Sequence, residues 1–174
     1  MGLHLIIDGY NLIRSSESLA RQERVSLAEG RRALLARLAA YRRIRPCSVT
    51  VVFDAAESDS RLERTERIKG IKVLYSPAGQ SADRVIQRLT TGLGAGALVV
   101  TSDRELAGSV EAAGATAVSS PEFEDRMEMA FYMETKGLVE EGETEPPRRS
   151  TQKKGPSRRR PRSERRRLVR LRKV

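Results

Sequence analysis

Four aspartates are the residues of this 174-residue chain best suited to chemistry. Asp8, Asp54 and Asp103 each follow a short apolar run typical of a buried strand, and Asp83 opens an amphipathic stretch. In an open parallel sheet, residues just beyond the carboxyl ends of the strands share one crevice. Carboxylates gathered there repel one another unless a cation neutralises them. The pattern therefore predicts a site for Mg²⁺ or Mn²⁺, which prefer oxygen ligands.

Two further residues are predicted to line the same crevice. Asn11 ends the motif Asp8-Gly9-Tyr10-Asn11, in which Gly9 is expected to let the backbone turn so that Asp8 projects into the crevice. The same residue types are common turn formers, so a purely structural interpretation stays open. Asp54 follows a fully apolar run and is interpreted as a site residue that orients Asn11 or a water, as a ligand, or as a capping acid.

Asp83 stands beside two arginines that are spaced like neighbours on one helix face, Arg84 and Arg88. A carboxylate next to a basic face suits a site that holds a metal and a phosphate backbone together. A carboxylate at a helix start is also favoured by the helix dipole whatever its function. We therefore predict that these arginines guide a phosphate backbone, and we keep a solvated helix face as the alternative.

The elements that must position these residues alternate between strand-like and helix-like runs. Strands are predicted at 3–7, 48–53, 71–75, 97–101 and 116–118, and helices at 27–43, 82–93, 105–113 and 122–135. Ser81 is the predicted N-cap of the second helix. The charged stretch 61–69 is predicted to be a loop or a short helix. This alternation predicts an α/β fold, three layers with a five-stranded parallel sheet in the order 3-2-1-4-5.

The positive charge of the chain is concentrated at one end. The net charge is +10, yet residues 138–174 hold 14 basic and 5 acidic residues, which leaves 19 and 18 for residues 1–137. We predict a nearly neutral domain over residues 1–136 and a disordered basic tail over residues 137–174. The tail has no aromatic residues, so we expect it to bind phosphates without sequence choice. Its main arginine clusters are Arg158, Arg159, Arg160, Arg165, Arg166 and Arg167.

Several classes of protein are excluded or disfavoured by what the sequence lacks. Cys47 is the only cysteine, so an intrachain disulfide and a cysteine-based metal site are excluded, and His4 is the only histidine, inside a predicted strand. There is no Walker A motif and no apolar run long enough to span a membrane. The first residues lack a basic region before their apolar run, which disfavours a signal peptide. We therefore expect a cytoplasmic protein.

Taken together, the motifs resemble the YacP-like NYN domains of the PIN-like nuclease superfamily. The resemblance is carried, in order, by the segments 6–13, 51–55, 73–86 and 99–103, which read IIDGYNLI, VVFDA, VLYSPAGQSADRVI and VVTSD. It covers about residues 3–133 and leaves the basic tail outside. It implies a PIN-like fold and a metal-dependent endoribonuclease. Asp8, Asp83 and Asp103 match the family's metal-binding acids, and Asn11 and Asp54 match residues that line the same pocket.

The resemblance also implies RNA as the partner, and for some family members the ribosome. Two alternatives stay open from the sequence. The first is a non-catalytic RNA- or ribosome-binding module that kept the fold, although a phosphate binder gains nothing from clustered negative charge. The second is a metal-dependent phosphohydrolase of small phosphoesters, which would have no need of a basic tail. The sequence does not indicate an oligomeric state.

Overall fold

The computed structural model describes residues 2–54, 63–137 and Val169. Six strands form one sheet, namely β1 (His4–Asp8), β2 (Ser48–Phe53), β3 (Arg64–Ile68), β4 (Ile71–Tyr75), β5 (Ala97–Val100) and β6 (Thr116–Val118). The helices are α1 (Gly9–Ser15), α2 (Glu17–Val25), α3 (Leu27–Ile44), α4 (Ala82–Leu93), α5 (Arg104–Ala112) and α6 (Ser120–Thr135), with a 3₁₀ turn at Gly94–Gly96. Across the described residues, no helix is both long and apolar enough to cross a membrane.

The predicted order of the parallel strands is confirmed, but the sheet has six strands instead of five. The order is β3-β4-β2-β1-β5-β6, and only β3 runs antiparallel to its neighbour. β3 lies within the stretch that was predicted to be a loop or a short helix. It pairs with β4 through a two-residue turn in which Lys69 and Gly70 both have positive φ, as a tight hairpin requires. The sequence did not indicate β3 because the strand is rich in charged residues. Such residues are common on edge strands, where they prevent pairing with another chain.

The sheet is covered on both faces, which explains why its central strands lack polar alternation. Leu5 and Ile7 belong to an apolar cluster with α1, α2, α3 and α6, whereas Ile6 belongs to a second cluster with α4 and α5. Alternate side chains of β1 therefore enter different layers of the core. The consequence is a three-layer arrangement in which the central strands are packed on both sides.

α1 and α2 were not predicted, because the residues that cap them resemble turn residues. Asp8 caps α1 by accepting a hydrogen bond from the Asn11 backbone N–H. Ser16 ends α1 and also caps α2, and Ser26 ends α2 and also caps α3. Three helices thus follow one another with a single serine at each junction. Short polar residues at such positions serve helix starts as readily as turns.

Gly9 is needed for space, and not for the turn that the sequence suggested. It is the first residue of α1, and its φ is not in the positive range. A Cβ atom placed on it would lie 2.2 Å from Cε1 of Phe53, a ring that is fully buried at the end of β2. The absence of a side chain at Gly9 therefore lets α1 begin directly against the sheet, immediately after Asp8.

We predict that Gly9→Ala destabilises the protein by about 1–3 kcal/mol, because Phe53 or the start of α1 must shift to make room for the methyl group. Gly108→Ala is the matched control. Gly108 lies in α5 with no atom near its potential Cβ, so alanine should stabilise the helix by about 1 kcal/mol. Urea denaturation of both variants measures these changes. Equal stability of Gly9→Ala and the native protein would contradict the packing explanation.

Candidate active site

The four predicted aspartates lie at the carboxyl edge of the sheet and influence one another electrostatically. Asp8 ends β1, Asp54 follows β2, Asp83 lies in the first turn of α4, and Asp103 immediately precedes α5. Asp8 lies within electrostatic range of Asp83 and Asp54, and Asp83 within range of Asp103 and Asp54. The four acids are therefore linked by electrostatic interactions at the carboxyl edge of the sheet, where the sequence predicts a shared crevice.

Asp8 is the most deeply placed of these acids. Burial raises its pKa to about 6, with further increases from the negative charges of Asp83 and Asp54. Hydrogen bonds from the Asn11 backbone N–H, at 3.4 Å to Oδ1, and from the Thr101 hydroxyl, at 3.3 Å to Oδ2, act in the opposite direction. Repulsion and desolvation outweigh these two hydrogen bonds. A carboxylate in this environment is stabilised by any cation that enters the crevice.

Asp83 and Asp103 differ in how they are held. Burial raises the pKa of Asp83, and the charges of Asp103, Asp54 and Glu105 raise it further. Asp103 caps α5, since its Oδ1 accepts a hydrogen bond of 2.9 Å from the Leu106 backbone N–H. That capping interaction occupies one carboxylate oxygen of Asp103 and fixes the side chain at the mouth of the crevice.

Asp54 caps a helix, which is one of the three roles that the sequence left open for it. Its Oδ1 accepts a hydrogen bond of 2.6 Å from the backbone N–H of Ala82, the first residue of α4. Ser81 occupies the N-cap position as predicted, but its side chain makes no capping hydrogen bond. Asp54 thus caps α4 from the end of β2, and it accepts a longer hydrogen bond, 3.5 Å, from the Ser76 hydroxyl. This interaction ties the helix that carries Asp83 to the centre of the sheet.

Asn11 joins three elements through its side-chain oxygen. Oδ1 accepts hydrogen bonds from the Ser102 backbone N–H at 2.9 Å and from the Ser120 hydroxyl at 2.6 Å. Because a backbone N–H can only donate, the amide oxygen must face Ser102, which directs the amide nitrogen elsewhere. The side-chain oxygen of Asn11 is therefore occupied by the protein, and its amide N–H groups are the part that a ligand can use.

Two hydroxyl residues complete this network. Thr101 donates to Asp8 and accepts a hydrogen bond of 3.1 Å from the Asp103 backbone N–H, so it links the two acids. Ser120 is fully buried, and its backbone N–H donates to the Ser102 hydroxyl at 3.1 Å. The sequence did not single out Ser120. The only available signal was its place beside Pro121 at a helix start, which says nothing about contact with Asn11.

The residues present are chemically suited to a divalent cation, although they do not form a closed cage. Among the residues that the structure describes, no three His, Cys, Asp or Glu side chains are arranged so that they could hold a metal ion. Mg²⁺ commonly binds through one or two carboxylates and completes its coordination with water and substrate phosphates. Asp8, whose negative charge is desolvated, supplies the oxygen ligand such an ion prefers. The fit is therefore to an open site, filled in part by substrate.

Of the arginines predicted to guide RNA, only Arg84 and Arg88 belong to the part of the chain that the structure describes. Arg84 and Arg88 are both exposed on α4, and Arg88 forms an ion pair with Glu63. RNA would have to compete with Glu63 for Arg88. The six arginines of the predicted tail clusters lie outside the described residues, as does the rest of the predicted tail except Gly137 and Val169.

We predict that Asp8→Asn stabilises the metal-free protein above pH 6. Because the pKa of Asp8 is higher in the folded state than its ordinary 3.8, the folded state binds more protons between these values, and stability falls as the pH rises from about 4 to 6. Asparagine keeps the cap and removes the charge. The gain should be at most about 3 kcal/mol at pH 8 and should vanish below pH 4.

Thermal denaturation in chelator from pH 4 to pH 8 measures this difference. Asp125→Asn is the matched control, because Asp125 is an exposed residue of α6. A constant difference between Asp8→Asn and the native protein at all pH values would show that Asp8 carries no excess proton.

Comparison with known proteins agrees with the fold and with the motifs. Two solved structures of Rae1 (YacP) from Bacillus subtilis are similar to this chain at 24% identity. One covers 79% of this chain and 80% of its own, with a TM-score of 0.63, and a mutant form covers 77% and 80%, with a TM-score of 0.65. At that identity the likeness shows the fold alone. No curated protein matches the chain.

A family model gives a wider match than the motifs did. The model of the YacP-like NYN domain matches residues 5–173. The motifs placed the resemblance at about residues 3–133 and left the basic tail outside, whereas the matched range includes it. Because the model spans nearly the whole chain, this protein belongs to the YacP-like NYN domain family.

Proposed function

We propose that this protein is a metal-dependent endoribonuclease that hydrolyses RNA phosphodiester bonds in the crevice around Asp8. Membership of the NYN family supports a nuclease-like, RNA-related function. The observation that carries the proposal is the largely buried Asp8, whose pKa is raised to about 6, with Asp54 and Asp83 in electrostatic range of it and Asp103 in range of Asp83. A protein keeps such a costly arrangement where a function needs it, and perturbed acids in a crevice are typical of active sites.

In this proposal one or two Mg²⁺ or Mn²⁺ ions would bind at an open site formed by Asp8, Asp83 and Asp103, in which each ion takes one or two of these carboxylates and completes its coordination with water and substrate phosphate. A bound ion would supply the Lewis acidity that activates water and offsets charge on the scissile phosphate. Asp54 acts through α4, because its hydrogen bond to Ala82 fixes the helix that presents Asp83. Asn11 has amide N–H groups available to orient a phosphate oxygen or a water, since its oxygen is already bound by Ser102 and Ser120.

We predict that the purified protein cuts labelled RNA in Mn²⁺ or Mg²⁺, that chelator stops the reaction, and that Asp8→Asn lowers the rate at least about a hundredfold. The expectation rests on the loss of the central anionic ligand. Gel electrophoresis of an end-labelled RNA gives the rate, and internal cuts identify an endonuclease. Asp125→Asn, the exposed α6 variant, should cut at the native rate.

The same assay separates the two alternatives left open by the sequence. RNA binding without cutting at any metal concentration would favour the non-catalytic module. Turnover of a small phosphoester with intact RNA would favour the phosphohydrolase. An equal rate in the native protein and Asp8→Asn would exclude the crevice as the active site.

We further propose that the basic tail attaches the enzyme to RNA, on mRNA or ribosome-associated RNA in the cytoplasm. Residues 138–174 carry a net charge of +9, whereas residues 1–137 carry +1. Such a segment binds phosphates by releasing counterions, so its contribution depends strongly on salt. The crevice itself is acidic, which makes a separate source of positive charge useful for RNA capture.

We predict that removing residues 138–174 weakens RNA binding at low salt and reduces its salt dependence. The slope of log K against log[salt] should fall in magnitude by several units, at about 0.7 for each lost phosphate contact on single-stranded RNA. Fluorescence anisotropy over a range of KCl concentrations would measure it, with circular dichroism to verify folding. Equal affinity and equal slope for the full-length and the truncated protein would show that the tail does not contribute to RNA binding.

A further inference from the structure

A group of aromatic and basic side chains lies at the same sheet edge as the aspartates. The guanidinium carbon of Arg64 lies 4.5 Å from the centre of the Tyr75 ring, and that of Arg31 lies 5.9 Å from it. The Tyr75 ring also stacks on Phe53, with centroids 5.9 Å apart and 27° between the planes. We call Arg31, Arg64 and Tyr75 the arginine clamp.

The strand register places the arginine clamp close to Asp8. Asp8 pairs with Val52, and the next residue of β2, Phe53, pairs with Tyr75 of β4. Tyr75 therefore lies two strands from β1 and one residue beyond the level of Asp8. At about 4.8 Å between strands, the backbones of these two residues are roughly 10 Å apart. Asp8 is level with Val52, which packs on the α4–α5 side of the sheet, whereas Tyr75 packs on the α3 side, so the acids and the arginine clamp lie on opposite faces of the same sheet edge. A polyanion that crosses the carboxyl edge of the sheet would meet both groups.

Arg64 is positioned by the sheet as well as by the ring. It lies directly opposite Tyr75 in the antiparallel β3–β4 pair, so both side chains are on the same face of the sheet. That face is the one covered by α3, which supplies Arg31. The side chain of Arg64 is still 60% exposed, and it forms an ion pair with Glu66 at 3.0 Å. Most of its hydrogen-bond donors are therefore accessible from solvent.

Arg31 is held by neutral groups. Its Nη1 donates a hydrogen bond of 2.7 Å to the Tyr10 hydroxyl, and its guanidinium faces the Tyr75 ring. Neither contact neutralises the positive charge. Tyr10 belongs to α1, the helix that Asp8 caps, so Arg31 and Asp8 are both joined to α1.

We propose that the arginine clamp binds the phosphate backbone of single-stranded RNA next to the crevice, with Arg31 and Arg64 contacting phosphate and Tyr75 as a positioning residue. The proposal rests on the proposed function and names where the substrate lies. An acidic crevice repels the phosphates on either side of the scissile one, and these need cations nearby. Arginine groups held in advance on an aromatic ring lose little freedom on binding, and their planar fork matches phosphate oxygens.

RNA binding by the full-length protein in chelator tests the arginine clamp without cutting. We expect Arg64→Ala to weaken binding of a fluorescein-labelled single-stranded RNA roughly fivefold to tenfold, the loss of one charge-assisted contact. The salt slope should fall in magnitude by about 0.7. Arg21→Ala is the matched control, because Arg21 is 65% exposed and pairs with a single glutamate, Glu17. The control removes the same charge and should change binding less than about twofold.

Arg64 and its control Arg21 each pair with a glutamate, and removing the charge of that glutamate should have the opposite effect on RNA binding. Glu66→Gln frees Arg64 and should tighten RNA binding, whereas Glu17→Gln should have a smaller effect on affinity. Equal effects of the two glutamine variants would mean that only net charge matters, and would overturn the arginine clamp.

Tyr75 is tested by a pair of substitutions and a double-mutant cycle. Tyr75→Leu should weaken binding nearly as much as Arg64→Ala, and Tyr75→Phe, which keeps the ring, should restore native affinity. In an Arg64→Ala background Tyr75→Leu should have a reduced further effect, because the two act as a unit. Additive effects would show that Tyr75 does not position Arg64, and circular dichroism verifies that each variant is folded.

The outcomes separate this proposal from the proposed function. If the native protein cuts RNA but Arg64→Ala and Arg21→Ala bind alike, the arginine clamp is wrong and the nuclease stands. If Arg64→Ala weakens binding selectively and no RNA is cut with any metal, the arginine clamp stands and the nuclease fails. If the native protein does not bind RNA, both are overturned.

Discussion

The repulsion among carboxylates at the crevice is the constraint around which the rest of this fold is arranged. Three of the four aspartates accept hydrogen bonds at helix starts: Asp8 at α1, Asp54 at α4 and Asp103 at α5. Helix N-termini carry partial positive charge, so each cap stabilises a carboxylate that its neighbours destabilise. The capping role and the proposed chemical role are therefore compatible. The hydrogen bonds by which these aspartates cap helices also hold their negative charges close together.

In this arrangement the negatively charged form of Asp8 is destabilised relative to the neutral form. Thr101 and the Asn11 backbone do not fully offset its desolvation, as the raised pKa shows. A fully satisfied carboxylate would have little to gain from a ligand. The incomplete set of hydrogen bonds is therefore consistent with the proposal that a cation binds in the crevice. The arginines around Tyr75 stand outside this acidic region, where they do not neutralise it.

The sequence was sufficient for the parallel core because its strands are short apolar runs, and because β1, β2 and β5 each end in an aspartate or are followed closely by one. It was insufficient for β3, whose charged residues reflect its place at the sheet edge, and for α1 and α2, whose caps resemble turn residues. The motif predicted that Asn11 lies by the crevice, but not that its oxygen accepts from Ser120, 109 residues away. Asp54 was expected to act on Asn11 or a water, to be a ligand, or to cap a helix. Its contact with Ala82 joins the ends of different elements, and no local pattern encodes such a pairing.

The serines that join α1, α2 and α3 restrict how this part of the chain can change. Each serine ends one helix and caps the next, so no loop separates Asp8 from α3, the long helix that covers the sheet. One extra residue within this stretch would rotate everything after it by about 100° about the helix axis. Substitutions can accumulate on its outer surface, whereas insertions and deletions cannot be absorbed there. Related sequences should therefore keep a constant length from the end of the first strand to the middle of α3.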